Sequence, residues 1–231
     1  MTLADLRDNW QDVPAFHQSI HEHFMALVNA DPKLDAHRTY VESKVFGMGE
    51  RSFWWLWKLL LETLPENPKL LEVGVFKAAT MSLWKMLRPD ATCYGVTPLD
   101  GRGTGWTEDD YFAHITKIHH DFGLDMPILY VGGSAETPII EQVYHSRPYD
   151  IIYVDGDHSE VGALADLNNY ARCVKQGGYL VIDDCCCDFH MQFGYFQGIQ
   201  SVQDAFDQWD SSEFKFVCNV VHLRVLRRIS I

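Results

Sequence analysis

The chain has 231 residues, 47% of them hydrophobic, which is enough to bury the core of one α/β domain with an N-terminal extension. Its formal charge of -13 argues against binding to nucleic acid or to an anionic membrane, because such binding depends on lysine and arginine side chains that neutralise phosphates. The expected partner is therefore a small molecule.

The start of the chain and its cysteines indicate an intracellular protein. Met1 leads into polar, acidic residues unlike a signal peptide, and the best apolar run, from Phe53, is interrupted by Lys58 and is too short to span a bilayer. We expect a soluble, cytoplasmic protein. Its cysteines lack the spacings of a zinc site or a disulfide framework, so we expect small buried residues, with a reactive thiol near the site as the alternative. They are Cys93, Cys173, Cys185, Cys186, Cys187 and Cys218.

The first part of the chain, residues 1–66, is predicted to be a helical extension to a domain that covers residues 67–231. A Trp-rich helix in the extension runs towards Pro65. An earlier helix has one apolar stripe at helical spacing, formed by Phe16, Ile20, Phe24 and Leu27. The sequence leaves open whether these helices form a lid over a site or an interface between subunits of a homo-oligomer.

Five short segments then have the apolar, β-branched character of buried parallel strands. They are residues 70–75, 92–97, 127–133, 149–156 and 177–184. Helix-like segments separate them, which predicts βαβ units and a parallel sheet with right-handed crossovers. A capping box at Thr107 and Asp110 predicts the start of the second of these helices.

The last helices and strands complete this pattern. The helix before the fifth strand is predicted to end at Gly177 and Gly178 and to have one buried face, formed by Val161, Leu164, Ala165 and Leu167. A further amphipathic helix carries Ile199, Val202, Phe206 and Trp209. The residues after it predict a hairpin that turns at Cys218 and Asn219 and closes one edge of the sheet.

Ligands of an open parallel sheet bind beyond the carboxyl ends of the strands, so the strand ends predict the site. At the first end, Glu72 and Gly74 are an acid and a tight turn, without the G-x-G-x-x-G fingerprint of a dinucleotide fold. An acid and a close glycine suit the cationic groups of S-adenosylmethionine. The alternative is an ordinary junction between a strand and a helix.

Three aspartates, Asp155, Asp183 and Asp184, follow the fourth and fifth strands and are expected to converge. Two like charges about 4 Å apart cost roughly 4 kcal/mol at an effective dielectric constant of about 20, so a proton or a divalent cation must offset them. Oxygen ligands favour Mg²⁺. The alternative is that one aspartate caps the next helix while the others face water.

Among the histidines, His158 is the best candidate for a general base, since its ordinary pKa is near neutrality and it follows Asp155 by three residues. The alternative is a structural histidine at a helix start. His17, His21 and His23 have no acid or cysteine partner that would complete a metal site.

The segments "LLEVGVFKAATMSLWKML", "YGVTPLD" and "YDIIYVDGDHS…DL…GGYLVIDD" together resemble the class I S-adenosylmethionine-dependent methyltransferases. Within that class they are similar to the metal-dependent O-methyltransferases of macrolide and aminocoumarin sugars. The similarity covers roughly residues 45–190. It implies a Rossmann-like, doubly wound sheet of seven strands in the order 3-2-1-4-5-7-6, with the N-terminal helices as an extension.

The resemblance also implies roles for particular residues. The cofactor S-adenosylmethionine would be held by Glu72, Gly74, Val75, Thr97, Asp100, Gly133, Ser134, Ala135 and Asp155. Mg²⁺ would be held by Asp155, Asp183 and Asp184, with His158 as the general base. Two positions depart from the family. Thr97 replaces the usual acid for the ribose, for which Asp100 is the possible substitute, and Ala78 replaces a usual glycine.

The resemblance therefore implies an O-methyltransferase that acts on a small-molecule hydroxyl, such as that of a sugar, a catechol or another natural-product diol. Residues 45–50 and the aromatic loop of residues 189–198 are the segments expected to cover the acceptor. Two alternatives stay open. The protein could bind S-adenosylmethionine without turnover, or it could be a nicotinamide-dependent oxidoreductase, against which the missing glycine fingerprint counts.

Overall fold

The computed structural model describes residues 1–9, 13–44, 51–99, 108–186 and 198–229 of the chain. Within these ranges, four helices precede the first strand, strands and helices then alternate up to the sixth strand, and the seventh strand follows the sixth directly. The helices are α1 Leu3–Asn9, α2 Val13–Ala30, α3 Pro32–Lys44, α4 Arg51–Glu62, α5 Ala79–Leu87, α6 Glu108–Asp121, α7 Thr137–Ser146, α8 Glu160–Tyr170 and α9 Gln200–Gln208. The strands are β1 Lys69–Val73, β2 Thr92–Thr97, β3 Ile128–Val131, β4 Tyr149–Val154, β5 Val174–Ile182, β6 Phe214–Val220 and β7 Leu223–Arg228.

The strands form one sheet of seven in the order β3-β2-β1-β4-β5-β7-β6, which confirms the predicted fold. Strands β1 to β5 are parallel, and β7 pairs antiparallel with both β5 and β6. In the middle of the sheet, Leu71 of β1 pairs with Tyr94 of β2 and with Ile152 of β4. The strand order reverses between β1 and β4, so this is the point at which a ligand site is expected.

The sheet is covered on both faces, and the N-terminal helices belong to one of the two cores. The ring of Trp57 on α4 lies 5.1 Å from that of Trp84 on α5 and 5.2 Å from that of Tyr153 on β4. Helices α7, α8 and α9 contribute to the core on the opposite face. The N-terminal segment therefore packs directly against the sheet, and the predicted boundary at residue 66 stays a prediction.

The predicted face of α8 is confirmed at Leu167, which is buried, and is wrong at Val161, which is 80% exposed. The buried residues of the helix are Ala163, Asp166, Leu167 and Tyr170. One of these is an acid, which is why a purely apolar pattern did not place the whole face. The predicted helix end is also wrong, because α8 ends at Tyr170 and the two glycines, Gly177 and Gly178, lie within β5.

The predicted turn of the C-terminal hairpin is wrong as well. Cys218 and Asn219 lie within β6, and the chain turns at Val221 and His222. The register of β6 against β7 shifts between Phe216 and Cys218, which breaks the alternation on which a strand pattern depends. Because β7 is antiparallel to β5 and pairs Arg224 with Ile182, this turn lies at the carboxyl end of the parallel strands.

The cysteines and the helices also bear on what the sequence predicted. The five cysteines of the described residues are buried, as predicted, and form no disulfide with one another, whereas Cys187 lies outside the described residues. The buried ones are Cys93, Cys173, Cys185, Cys186 and Cys218. Within the described ranges, the model has no helix whose length and apolar character would let it cross a bilayer.

Candidate active site

Gly74 lies where the loop after β1 passes the loop after β4. Its φ is +100°, and a Cβ atom added to it would lie 1.8 Å from the carbonyl oxygen of Asp155. The backbone nitrogens of Gly74 and Val75 both donate to the carbonyl oxygen of Val96, at 2.9 and 3.0 Å. A glycine is therefore required here because the loops after β1 and β4 pass each other closely beside β2, and not only to leave room for a ligand.

Glu72 is a buried acid at the carboxyl end of β1. It is 4% exposed, and its Oε2 atom has no hydrogen-bond partner among the residues that the structure describes. Burial, and then the charges of Asp155 and Asp183, raise its pKa well above the usual range. A buried carboxyl group without a partner is costly, and a cationic ligand such as the ammonium group of S-adenosylmethionine would offset that cost.

The three aspartates converge beside Glu72, as the sequence predicted. Burial, and then the charge of Asp183, raise the pKa of Asp155 well above its usual range. The hydroxyl of Tyr153 donates to Oδ2 of Asp155 over 3.3 Å. Burial also acts to raise the pKa of Asp183, but contact with His222, together with hydrogen bonds with Asp155 and Tyr153, outweighs burial and leaves this pKa below its usual value. The cluster therefore holds carboxyl groups of unequal acidity, which is expected when like charges are crowded together.

His158 bridges two of these aspartates. Its Nε2 atom lies 3.4 Å from Oδ1 of Asp155, and its Nδ1 atom lies 3.5 Å from Oδ2 of Asp184. The hydrogen bond with Asp155 and the neighbouring carboxylate charges together outweigh burial and raise the pKa of His158 to about 9. The imidazole is therefore mostly protonated at neutral pH, and a cation that compensated the carboxylates would lower this pKa.

His222 is a member of the cluster that the sequence analysis missed. Its Nε2 atom lies 3.2 Å from Oδ1 of Asp183 and 3.5 Å from Oδ1 of Asp184. Asp183, Asp184 and His222 form a group whose ligand atoms all lie within 4.8 Å of one another. A polar residue in the hairpin turn was the available signal, but it carried information only once the turn was placed correctly.

The expected adenine side of the site lies beyond β3. The carbonyl oxygen of Ser134 accepts a hydrogen bond of 2.6 Å from the Tyr170 hydroxyl of α8, and the backbone nitrogen of Gly133 donates to Oε1 of Glu136 over 3.0 Å. Ala135 is exposed. These contacts hold the loop in place, and its contact with a cofactor stays a prediction.

Asp166 of α8 is a second residue of this region that the sequence analysis missed. It is 1% exposed, and a Cβ atom added to Gly156 would lie 2.5 Å from its Oδ2 atom. Burial raises the pKa of Asp166 to about 6, although the Ser134 side chain acts in the opposite direction. Its carboxyl group therefore lies between the loops that follow β3 and β4.

The expected ribose contact cannot be assigned to one residue. Thr97 is fully buried, and its hydroxyl accepts a hydrogen bond of 3.2 Å from the backbone nitrogen of Leu99. Asp100, the possible substitute, lies outside the described residues, as do Thr107, residues 45–50 and residues 189–197. The roles of Thr97 and Asp100 towards the ribose therefore stay predictions.

Residues 71–185 match a family model described as a methyltransferase domain. The matched segment contains Glu72, Asp155, His158, Asp183 and Asp184, and it spans the strands on both sides of the switch point. This match and the strand order together identify residues 71–185 as a methyltransferase domain with the fold of the class I S-adenosylmethionine-dependent enzymes. The sheet and the resemblance first noted in the sequence are thereby confirmed.

Several proteins of known structure have the same fold as this chain. A Staphylococcus aureus protein named as a caffeoyl-CoA O-methyltransferase is 13% identical with a TM-score of 0.67, over 91% of this chain and 99% of its own. The Podospora anserina methyltransferase PaMTH1, solved with S-adenosylhomocysteine, is 13% identical with a TM-score of 0.63, over 87% of this chain and 89% of its own. At such low identity these likenesses establish the fold.

A curated relative by sequence is the uncharacterized protein R132 of Acanthamoeba polyphaga mimivirus. It is 25% identical over 147 residues, which is 63% of this chain. The match spans 64% of the length of that relative. Its name indicates no acceptor, so the acceptor must be argued from the chemistry of the site.

Proposed function

We propose that this protein transfers a methyl group from S-adenosylmethionine to a hydroxyl group of a small molecule, with the help of a divalent cation. The observation that carries the proposal is the convergence of Asp155, Asp183, Asp184 and His158 beside Glu72, at the switch point of a methyltransferase sheet. A protein that only bound the cofactor would have no need to crowd carboxylates against a histidine at this position.

The cofactor would supply the electrophilic methyl group, and the chain would bind and orient it. Glu72 would pair with the ammonium group, because it is a buried acid with an unpartnered oxygen. The methionine part would lie along Gly74 and Val75. The ribose would contact Thr97 or Asp100, and the adenine would be flanked by Gly133, Ser134 and Ala135, with Asp155 near the reacting end.

The cation would be held by Asp155, Asp183 and Asp184, whose oxygen atoms suit a hard ion such as Mg²⁺. It would supply Lewis acidity that lowers the pKa of the acceptor hydroxyl. The charges of the site support a bound cation there, because two histidines offset the three neighbouring carboxyl groups only in part. His158, relieved of part of its attraction to the carboxylates, would then accept the hydroxyl proton.

The acceptor would be a small molecule with two adjacent oxygens, such as a vicinal diol or a catechol, which can chelate a cation. A nucleic acid is disfavoured because the chain has 32 acidic against 19 basic lysine and arginine residues. In-line transfer depends mainly on alignment, so an acceptor held at two oxygens gains from its fixed position.

Calorimetric titration with S-adenosylhomocysteine tests the proposal. Wild-type protein should bind it with micromolar affinity both with Mg²⁺ and with EDTA, and Glu72→Gln should weaken that binding. Asp183→Asn should lose Mg²⁺ binding and keep cofactor binding, whereas Asp207→Asn, on the exposed face of α9, should change neither. Absence of cofactor binding by the folded wild-type protein would refute the proposal.

An assay of methyl transfer to a catechol tests turnover separately from cofactor binding. His158→Asn should lower kcat by about 10²- to 10⁴-fold, the usual contribution of a general base, while the dissociation constant of S-adenosylhomocysteine stays unchanged. Cofactor binding combined with no transfer to any diol or catechol would favour the alternative of a protein that binds S-adenosylmethionine without turnover.

A further inference from the structure

We infer that His222 is a nitrogen ligand of the metal site, and that the site therefore prefers a first-row transition-metal ion over Mg²⁺. This inference rests on the metal site of the proposed function and concerns the identity of its ion. The aspartates alone predict an oxygen-only site, whereas the tertiary structure adds an imidazole to it.

The distances fit coordination to a common ion. Nε2 of His222 lies 3.2 Å from Oδ1 of Asp183 and 3.5 Å from Oδ1 of Asp184. Neighbouring ligand atoms of a six-coordinate ion are about 3 Å apart when each lies roughly 2.1 Å from the ion. The three side chains thus already have nearly the spacing that one ion would require, without any movement of the backbone.

The imidazole is also held firmly in this position. His222 is 5% exposed, and its carbonyl oxygen accepts hydrogen bonds from the backbone nitrogens of Cys185 and Cys186, at 2.9 and 3.2 Å. These cysteines directly follow Asp184, so the backbone that carries the aspartates is tied to the backbone that carries the histidine. An ion between the aspartates would therefore have this ring beside it.

Two backbone conformations support a functional arrangement. Asp184 has a φ of 51° and Val221 a φ of 55°, so both adopt the left-handed region that residues with side chains rarely use. For the β-branched Val221 this is a strained conformation, and such strain is frequent at functional sites. The two residues flank the point where the histidine meets the aspartates.

The presence of an imidazole changes the choice of metal. Mg²⁺ prefers oxygen ligands and gives up its water reluctantly, whereas imidazole nitrogen suits iron, nickel and zinc. A site that joins the carboxylates of Asp183 and Asp184 to the imidazole of His222 resembles the mixed donor sets of such ions. Affinity should accordingly rise from Mg²⁺ to Mn²⁺ to Co²⁺.

Pulsed EPR of bound Mn²⁺ tests the ligand directly, since a coordinated imidazole gives a ¹⁴N coupling. We expect this coupling in the wild-type protein, its loss or reduction in His222→Asn, and no change in His120→Asn, whose side chain is 86% exposed. His158→Asn should retain the coupling that comes from His222. Absence of any ¹⁴N coupling in wild-type protein with bound Mn²⁺ would overturn the inference without recourse to a variant.

The affinities of the protein for Co²⁺ and Mg²⁺ test independently whether His222 is a metal ligand. His222→Asn should weaken Co²⁺ binding by more than the roughly 10- to 100-fold that loss of an outer-shell partner costs, and should change Mg²⁺ binding much less. Equal losses for both ions would mean that His222 only orients Asp183 by a hydrogen bond, which would overturn the inference. These measurements need no cofactor, so failure to bind S-adenosylhomocysteine would refute the proposed function separately.

Discussion

At the scale of single residues, Gly74 shows how a strand end constrains its neighbours. We predict that Gly74→Ala costs roughly 3–5 kcal/mol of stability, because the new Cβ atom would overlap the carbonyl oxygen of Asp155 and φ is +100°. Gly123→Ala is the matched control. Gly123 also has a positive φ, +60°, but nothing lies within 4 Å of its added Cβ atom, so it should cost only about 1 kcal/mol.

Urea denaturation of both variants measures this difference. Equal costs for Gly74→Ala and Gly123→Ala would show that backbone strain alone matters at Gly74. The close approach of the loops after β1 and β4 would then not be what requires a glycine.

Replacement of Asp166 is predicted to stabilise the protein, whereas replacement of Gly74 destabilises it. Burial raises the pKa of Asp166 to about 6, above the ordinary value near 4. Ionisation of this carboxyl group therefore lowers the free energy of unfolding as pH rises from about 4 to about 6, and by its full amount above that. Asp166→Asn should therefore stabilise the fold by up to about 3 kcal/mol at pH 8 and by about half of that at pH 5.

Urea midpoints at the two pH values test this dependence. A stabilisation that does not change with pH would show that the carboxyl charge is not its cause. The Asn side chain is matched in size to Asp, so altered packing is a minor contribution.

Among the site residues, those that follow strands were predictable and those held by other elements were not. Asp155, His158, Asp183 and Asp184 come directly after apolar strands, and parallel strands bring their carboxyl ends to one edge. His222 reaches the same edge only because β7 returns antiparallel to β5. Nothing local to its own segment indicates that position.

At the scale of elements, α3 carries a buried histidine that links it to α5. Nε2 of His37 lies 2.7 Å from Oγ of Ser82, and burial, with a smaller effect of His119, lowers the pKa of His37 to about 3. The unfolded chain binds a proton at this residue below about pH 6.5, and the folded protein does not until about pH 3. Stability is therefore lost as pH falls through this window, by about 2 kcal/mol at pH 5.

Comparison of wild type with His37→Gln isolates this effect. The loss of unfolding free energy between pH 7.5 and pH 5, measured by urea denaturation, should be smaller in the variant by about 2 kcal/mol. His120→Gln, at an exposed position, should leave the loss as it is in wild type. A loss in His37→Gln as large as that in wild type would contradict the prediction.

The helices and strands were predicted well where the apolar pattern of the sequence agrees with the packing in the structure. The parallel strands follow from runs of apolar and β-branched residues, and α9 follows from apolar residues at helical spacing. The face of α8 was not predictable in this way, because Asp166 belongs to its buried side and Val161 to its exposed side. The helix is oriented by its neighbours, including the contact of Tyr170 with the loop at Ser134.

At the scale of the whole molecule, the N-terminal helices complete the core. Trp57 and Leu60 of α4 are buried in the same cluster as Leu70 and Ile151 of the sheet. We predict that residues 67–231 alone do not fold cooperatively, because each large apolar side chain that removal of the helices exposes to water costs roughly 2–3 kcal/mol. A fragment that begins at residue 51 keeps α4 and should retain a cooperative transition at a lower temperature.

Thermal unfolding followed by circular dichroism distinguishes the two fragments. If residues 67–231 melted cooperatively near the temperature of the full chain, residue 66 would be a true domain boundary. The N-terminal helices would then be a dispensable cover.

The sequence by itself determined the sheet, its strand order through a family resemblance, and the acidic edge at which the site lies. These features depend on local composition and on the geometry that all parallel sheets share. The tertiary structure decided the position of the last turn, the face of α8, the presence of His222 beside Asp183 and Asp184, and that of Asp166 beside Gly156. Such contacts join segments distant along the chain, and they arise from packing that no single segment encodes.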